Sequence, residues 1–225
     1  MKTLVVIFTR SAMNETVKQL PPWYEKSGCE IYGITSTDAD CYWPAEGGQF
    51  IGCCRIGEEK APISGKYINR FMQTLEMVMA DARFENYGAF CFVEADCIFL
   101  KPIPEPRLDM FQTKLTGVRD GQFRGAFYYH SPWFVDRIMA FKVLQYGRRM
   151  LTADLIEFGM LDRWLGLMFD LYAIPVTDTG AATHTACTIV SPEQIKETRQ
   201  RIADGVWYVH GIKALDVLAK ITDSV

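Results

Sequence analysis

Two short runs constrain this chain more than any other feature. Leu4-Val5-Val6-Ile7-Phe8 and Ala89-Phe90-Cys91-Phe92-Val93 are apolar at every position. A strand points successive side chains to opposite faces, so an unbroken apolar run fits a strand covered on both sides. Such strands belong in the middle of a sheet that has a layer on each face.

The stretches around them alternate between helical and extended character. Asn14 to Ser27 is a weak helical stretch interrupted at Pro21-Pro22 and ended by Gly28, and Cys29 to Thr35 follows as a second strand. Strand, helix, strand predicts parallel pairing with right-handed crossovers. Tyr67 to Phe84 carries Ile68, Phe71, Met72, Leu75, Val78, Met79 and Ala82 at three- and four-residue spacing, the stripe of an amphipathic helix. Further strands are expected at Leu115–Val118, Ala126–Tyr129 and Tyr172–Val176, and helices at Phe134–Tyr146 and Met160–Asp170. A helix over Pro192–Ala203 has Ser191 as its N-cap and proline in first position. Asp38 to Gly65 lacks periodicity and is rich in glycine, with room for a hairpin at Phe50–Ile56. The expected fold is α/β: one domain over 1–225, with a mixed, mainly parallel sheet flanked by helices.

Composition removes several function classes. Hydrophobic residues make up 49% of the chain and aromatics 13%, enough for a sizeable core. A formal charge of −3 lacks the basic footprint of a nucleic-acid binder. No stretch approaches the ~20 apolar residues of a membrane helix. Leu4–Phe8 is too short for a signal-peptide core, so a cytoplasmic protein is expected. The seven cysteines are odd in number and form no C-x-x-C pair, which reads as reduced thiols in a core. No glycine-rich dinucleotide turn follows the first strand, where the chain reads Thr9-Arg10-Ser11-Ala12. A P-loop fails at both Lys60 and Tyr67, and neither a zinc-protease helix nor a G-x-S-x-G elbow occurs.

What remains is a pair of acidic residues and a late basic cluster. In Phe92-Val93-Glu94-Ala95-Asp96-Cys97-Ile98-Phe99-Leu100, two carboxylates interrupt an apolar run. On an extended chain they share a face, with α-carbons about 7 Å apart. Two ionised carboxylates in a partly dry place need a balancing cation, most simply a hard divalent ion; the alternative is a solvated turn. The carboxyl end of a parallel strand is also where α/β sheets bind ligands. Val206-Trp207-Tyr208-Val209-His210-Gly211-Ile212-Lys213 ends in an imidazole able to complete an oxygen-rich manganese site and an ammonium suited to phosphate. The alternative is a strand end with a hydrogen-bonded histidine.

Taken together, E-x-D after a buried strand and a late His-Gly-x-Lys resemble the GT-A-fold glycosyltransferases. The resemblance spans most of the chain in layout, though each motif is short. It implies a Rossmann-like sheet, with residues 1–100 as the nucleotide-sugar half and 101–225 carrying the acceptor side and the C-terminal metal and phosphate segment. It implies that Glu94, Asp96 and His210 hold Mn2+ or Mg2+, that the ion and Lys213 hold the diphosphate of a sugar donor, most simply a UDP-sugar, and that a hydroxyl of a glycan, protein or small molecule accepts the sugar. Leu161-Asp162-Arg163-Trp164-Leu165-Gly166 resembles the family's hydrophobic-Glu-Asp-x-x-Leu-Gly motif, with Leu161 in place of the glutamate. Asp162 is then the acceptor-side aspartate and the base in an inverting reaction. Glu94 stands where aspartate is commoner. The resemblance places Thr9 and Arg10 at the nucleotide base, and Asp38 is a candidate for the base or ribose.

Lys66 and Arg70, one helical turn apart, are candidates for phosphate or sugar hydroxyls, or else a solvated helix face. Tyr128–Trp133 and Tyr42-Trp43 are aromatic enough to pack on sugar rings, with a core edge and a turn at Ser131-Pro132 as the plainer reading of the first. A sugar nucleotidyltransferase would need a glycine-rich turn after the first strand, which is missing. A binding or scaffold domain of the same fold is the non-enzyme alternative.

Overall fold

The computed structural model describes residues 1–8, 18–36, 48–56, 66–119, 127–151, 161–179, 183–185, 189 and 191–223. In chain order the elements begin with β1 (Thr3–Phe8), the short helix α1 (Pro21–Tyr24), β2 (Glu30–Ser36) and β3 (Phe50–Ile56). There follow α2 (Lys66–Ala80), β4 (Ala89–Glu94), β5 (Cys97–Phe99), β6 (Phe111–Arg119), β7 (Phe127–Asp136), α3 (Arg137–Met150) and α4 (Leu161–Tyr172). The chain ends with β8 (Val176–Asp178), β9 (Thr183–Thr185), α5 (Pro192–Ala203), β10 (Tyr208–His210) and α6 (Leu215–Thr222).

Seven strands form one sheet in the order β3-β2-β1-β4-β7-β6-β8. The pairs β3–β2, β2–β1, β1–β4 and β6–β8 are parallel; β7 alone runs against its neighbours β4 and β6. The fold is therefore α/β with a mainly parallel central sheet. The two apolar runs are neighbours at its centre, Leu4 to Phe8 opposite Phe90 to Glu94. Their side chains divide as a pleated strand requires. Leu4, Val6, Phe90 and Phe92 join one core with Phe71, Leu75 and Val78 of α2, Val143 of α3 and Trp164 of α4. Val5, Ile7, Cys91 and Val93 join a second core with Tyr24, Ile98, Tyr208 and the apolar side of α6. A smaller sheet, β5-β10-β9, belongs to this second layer.

Several boundaries differ from expectation for identifiable reasons. Pro21 and Pro22 open α1 instead of breaking a helix, since proline costs nothing in the first turn. Phe50–Ile56 is a single edge strand parallel to β2, not a hairpin. Ser131-Pro132 lies inside β7 instead of forming a turn, and Trp133 is a core residue, 4% exposed. Phe134 to Asp136 also belong to β7, and the helix starts one residue later, where the Asp136 carboxylate caps the Met139 amide at 2.7 Å. Tyr172 closes α4, and the strand after it begins only at Val176. Pro192–Ala203 is helical as expected, with a reciprocal capping box between Ser191 and Gln194. Among the described residues, Cys29, Cys53, Cys54, Cys91 and Cys97 are free thiols. No described helix is long and apolar enough to cross a membrane.

Candidate metal centre

β4 ends at Glu94, opposite Phe8, the last residue of β1. In the order β3-β2-β1-β4 the chain steps outward on one side of β1 and returns on the other, so the carboxyl ends of β1 and β4 flank a topological switch point. Open α/β sheets bind their ligands in that crevice. The acidic pair therefore occupies the position that topology favours for a ligand.

The chain does not stay extended there. Ala95 and Asp96 form a bend, and the next residues leave the main sheet as β5 to pair with β10. The register of that small ladder sets Cys97 opposite His210. The Asp96 carbonyl accepts the amides of both Gly211 and Ile212, each at 2.9 Å. Gly211 has φ of 100°, a conformation that a residue with a Cβ rarely adopts. Its freedom is used to turn two consecutive amides onto one carbonyl.

The result is a convergence of side chains from segments 114 positions apart. His210 Nε2 is 2.9 Å from Glu94 Oε2 and 3.0 Å from Asp96 Oδ1. Lys213 Nζ contacts the other oxygen of Asp96, Oδ2. Asp96 is 1% exposed and His210 7%, whereas the Lys213 side chain is 40% exposed and opens the cluster toward solvent. One candidate ligand atom from each of Glu94, Asp96 and His210 lies within 4.8 Å of the others.

Charge explains the protonation states. Burial by itself would raise the Asp96 carboxyl, but His210 and Lys213 outweigh it and hold the group well below the usual carboxylate range. Burial would keep the His210 ring neutral, but Asp96 and then Glu94 outweigh it and push the ring up to about 10. The Nδ1 atom is buried with no hydrogen-bond partner among the described residues. A single Nε2–H cannot point well at two carboxylates at once, although both lie within contact distance of that atom.

The donor set suits a hard divalent ion. Two carboxylate oxygens and one imidazole nitrogen are acceptable ligands for Mn2+ or Mg2+. An octahedral ion with bonds near 2.1 Å places adjacent ligand atoms about 3.0 Å apart. The two N···O separations measured here have that length. One feature of many histidine metal sites, an acceptor for the second ring nitrogen, is not found among the described residues.

The other expected residues lie elsewhere. Thr9, Arg10 and Asp38 fall outside the described residues, as does the Tyr42-Trp43 pair, and the side chains of Lys66 and of Tyr128 to His130 are likewise not described. Arg70 is not on a solvated helix face: it is 6% exposed on α2, where a guanidinium needs partners to offset its lost hydration. Asp162 stands in the first turn of α4, 9% exposed, and accepts the Arg163 amide at 3.0 Å.

Sequence reading missed Tyr24, whose hydroxyl donates to the Ala95 carbonyl at 2.5 Å. Nothing in the sequence near position 24 signals a partner 71 residues away.

No model of a known protein family matches the chain, and no curated protein matches it either.

Proposed function

We propose that this protein is a metal-dependent glycosyltransferase with a GT-A-like, Rossmann-like domain. It moves a sugar from a nucleotide-diphosphate sugar, in the simplest case a UDP-sugar, to an acceptor hydroxyl on a glycan, protein or small molecule. The observation that carries this reading is the convergence of Glu94 Oε2, Asp96 Oδ1 and His210 Nε2 at the carboxyl end of β4, with Lys213 at the open side. Glu94, Asp96 and His210 would hold Mn2+ or Mg2+. The bound ion would supply positive charge against the leaving diphosphate. Lys213, more exposed than the carboxylate it contacts, would turn from Asp96 toward a phosphate oxygen of the donor. Asp162, in the first turn of α4, serves the acceptor side; in an inverting reaction it takes the acceptor proton. Thr9, Arg10 and Asp38 contact the nucleotide, and Lys66 and Arg70 contact the phosphates or the donor sugar.

The test is nucleoside-diphosphate release from a panel of sugar nucleotides, with Mn2+ and with a chelator. Metal-dependent release from at least one donor is expected. Asp96→Ala should abolish metal-dependent donor binding while the circular-dichroism spectrum stays that of a folded α/β protein. Full donor binding by that variant, or binding of donors with no release from any of them, overturns the assignment.

A further inference from the structure

Ala95 stands between the two carboxylates, and both sides of it are held. Its amide donates to the Phe8 carbonyl at the end of β1, at 2.7 Å. Its carbonyl accepts the Tyr24 hydroxyl at 2.5 Å. The chain is leaving the main sheet here, and among the described residues no strand is paired with Ala95. Ala95 is fully buried, so water does not reach it, and an unpaired carbonyl in such a place is costly. A phenol suits this task because its ring can cross an apolar layer and still deliver a donor at the tip. Tyr24 does this: its ring is fully buried in the second core, 6.5 Å from the Phe50 ring, and α1 rests against β5.

The bond acts on the plane of the Ala95–Asp96 peptide. That plane sets the direction in which Asp96 leaves the backbone and its angle to Glu94. From the far side, the Gly211 and Ile212 amides hold the next carbonyl. We propose that Tyr24 is a positioning residue of the Glu94–Asp96–His210 centre: its hydroxyl locks the peptide between the two carboxylates and thereby their common aim at one ion. The proposal rests on the metal reading of this centre. It makes α1 part of the site's support.

Tyr24→Phe removes the hydroxyl and keeps the ring in its packing. Tyr87→Phe is the control, since Tyr87, 4% exposed in the other core, contacts Glu30 through its hydroxyl at the opposite end of β4. Mn2+ alone is titrated into wild type and both variants, with bound ion read by electron paramagnetic resonance and folding by circular dichroism. Loss of a group that orients metal ligands weakens affinity by about 10- to 100-fold. Tyr24→Phe is expected to bind Mn2+ at least about tenfold more weakly while remaining folded, and Tyr87→Phe to bind as wild type does. In turnover, the Mn2+ concentration for half-maximal rate should rise in Tyr24→Phe more than the maximal rate falls. Tyr24→Phe affinity within twofold of wild type overturns the proposal, and so does an equal weakening in both variants, which would mark general loosening. Wild-type protein that fails to bind Mn2+ overturns the metal reading and this role together; wild-type binding with undiminished Tyr24→Phe binding overturns the role of Tyr24 alone.

Discussion

Raising the pH should tighten Mn2+ binding about tenfold per unit across the neutral range, with His210 as the cause. Burial works to keep its ring neutral, but Asp96 and Glu94 outweigh burial and push it up to about 10. The proton concerned is on Nε2, the atom that faces both carboxylates. A divalent ion needs the same lone pair, so each ion bound expels one proton. Asp96, held well below the usual carboxylate range, is already ionised and adds none. Between about pH 6.5 and 8.5 the apparent affinity should therefore rise about 100-fold, or ~2.7 kcal/mol at 1.36 kcal/mol per unit.

Stability without metal runs the other way. A raised histidine contributes fully below its unfolded value, near 6.5, and loses that contribution as pH climbs through about 10. The depressed Asp96 contributes above the ordinary carboxylate value and loses it as pH falls toward its folded one. The metal-free protein should thus melt at lower temperature as pH rises from about 6.5, while excess Mn2+ offsets the loss. Isothermal titration calorimetry in two buffers of different ionisation enthalpy, at several pH values, counts the protons directly. About one proton per ion is expected. A flat affinity with no proton release would refute the reasoning, because it would mean that the ion displaces no proton from Nε2.

Lys213→Met removes the ammonium on Asp96 Oδ2. UDP binding in the presence of Mn2+ should weaken by about ten- to hundredfold, the loss of a charge-assisted bond, while binding of Mn2+ alone is no weaker than in wild type; an equal loss of both would make Lys213 a support for Asp96 instead. Gly147 lies inside α3, where alanine normally adds helical stability, but an added Cβ there would fall 2.5 Å from Met72 Cε and 2.9 Å from the Trp164 ring. Gly147→Ala should therefore destabilise by about 1–3 kcal/mol in urea unfolding, the usual cost of overpacking, with Mn2+ affinity unchanged.

How much of this could be read from the chain depends on how far each feature repeats a pattern. Leu4–Phe8 and Ala89–Val93 disclosed the sheet centre because burial on both faces leaves no polar position to confuse the reading. The α2 stripe and the Ser191–Gln194 cap were legible for the same reason, as local rules obeyed over several residues. Phe50–Ile56 misled because it is an edge strand with three half-buried residues and two exposed ones, and its Gly52 sits beside a register shift in the pairing with β2. The start of α3 misled because Phe134 and Val135 look equally apolar in a helix or a strand; only the Asp136 cap decides the boundary.

The candidate centre shows the limit more sharply. Glu94, Asp96, His210 and Lys213 announce themselves by chemical type, but their meeting depends on β5 and β10, each three residues long and too short for any period to reveal. In that ladder His210 faces Cys97, one residue beyond Asp96. A slip of one position would set Val209 or Gly211 there and turn the imidazole to the other side of the sheet. The two amides that clamp the Asp96 carbonyl fix the register, and they can do so only because residue 211 is a glycine with positive φ. Gly211 therefore serves the cluster by holding the backbone that carries Asp96, and the His-Gly pair acts as one device in which the glycine sets where the histidine points.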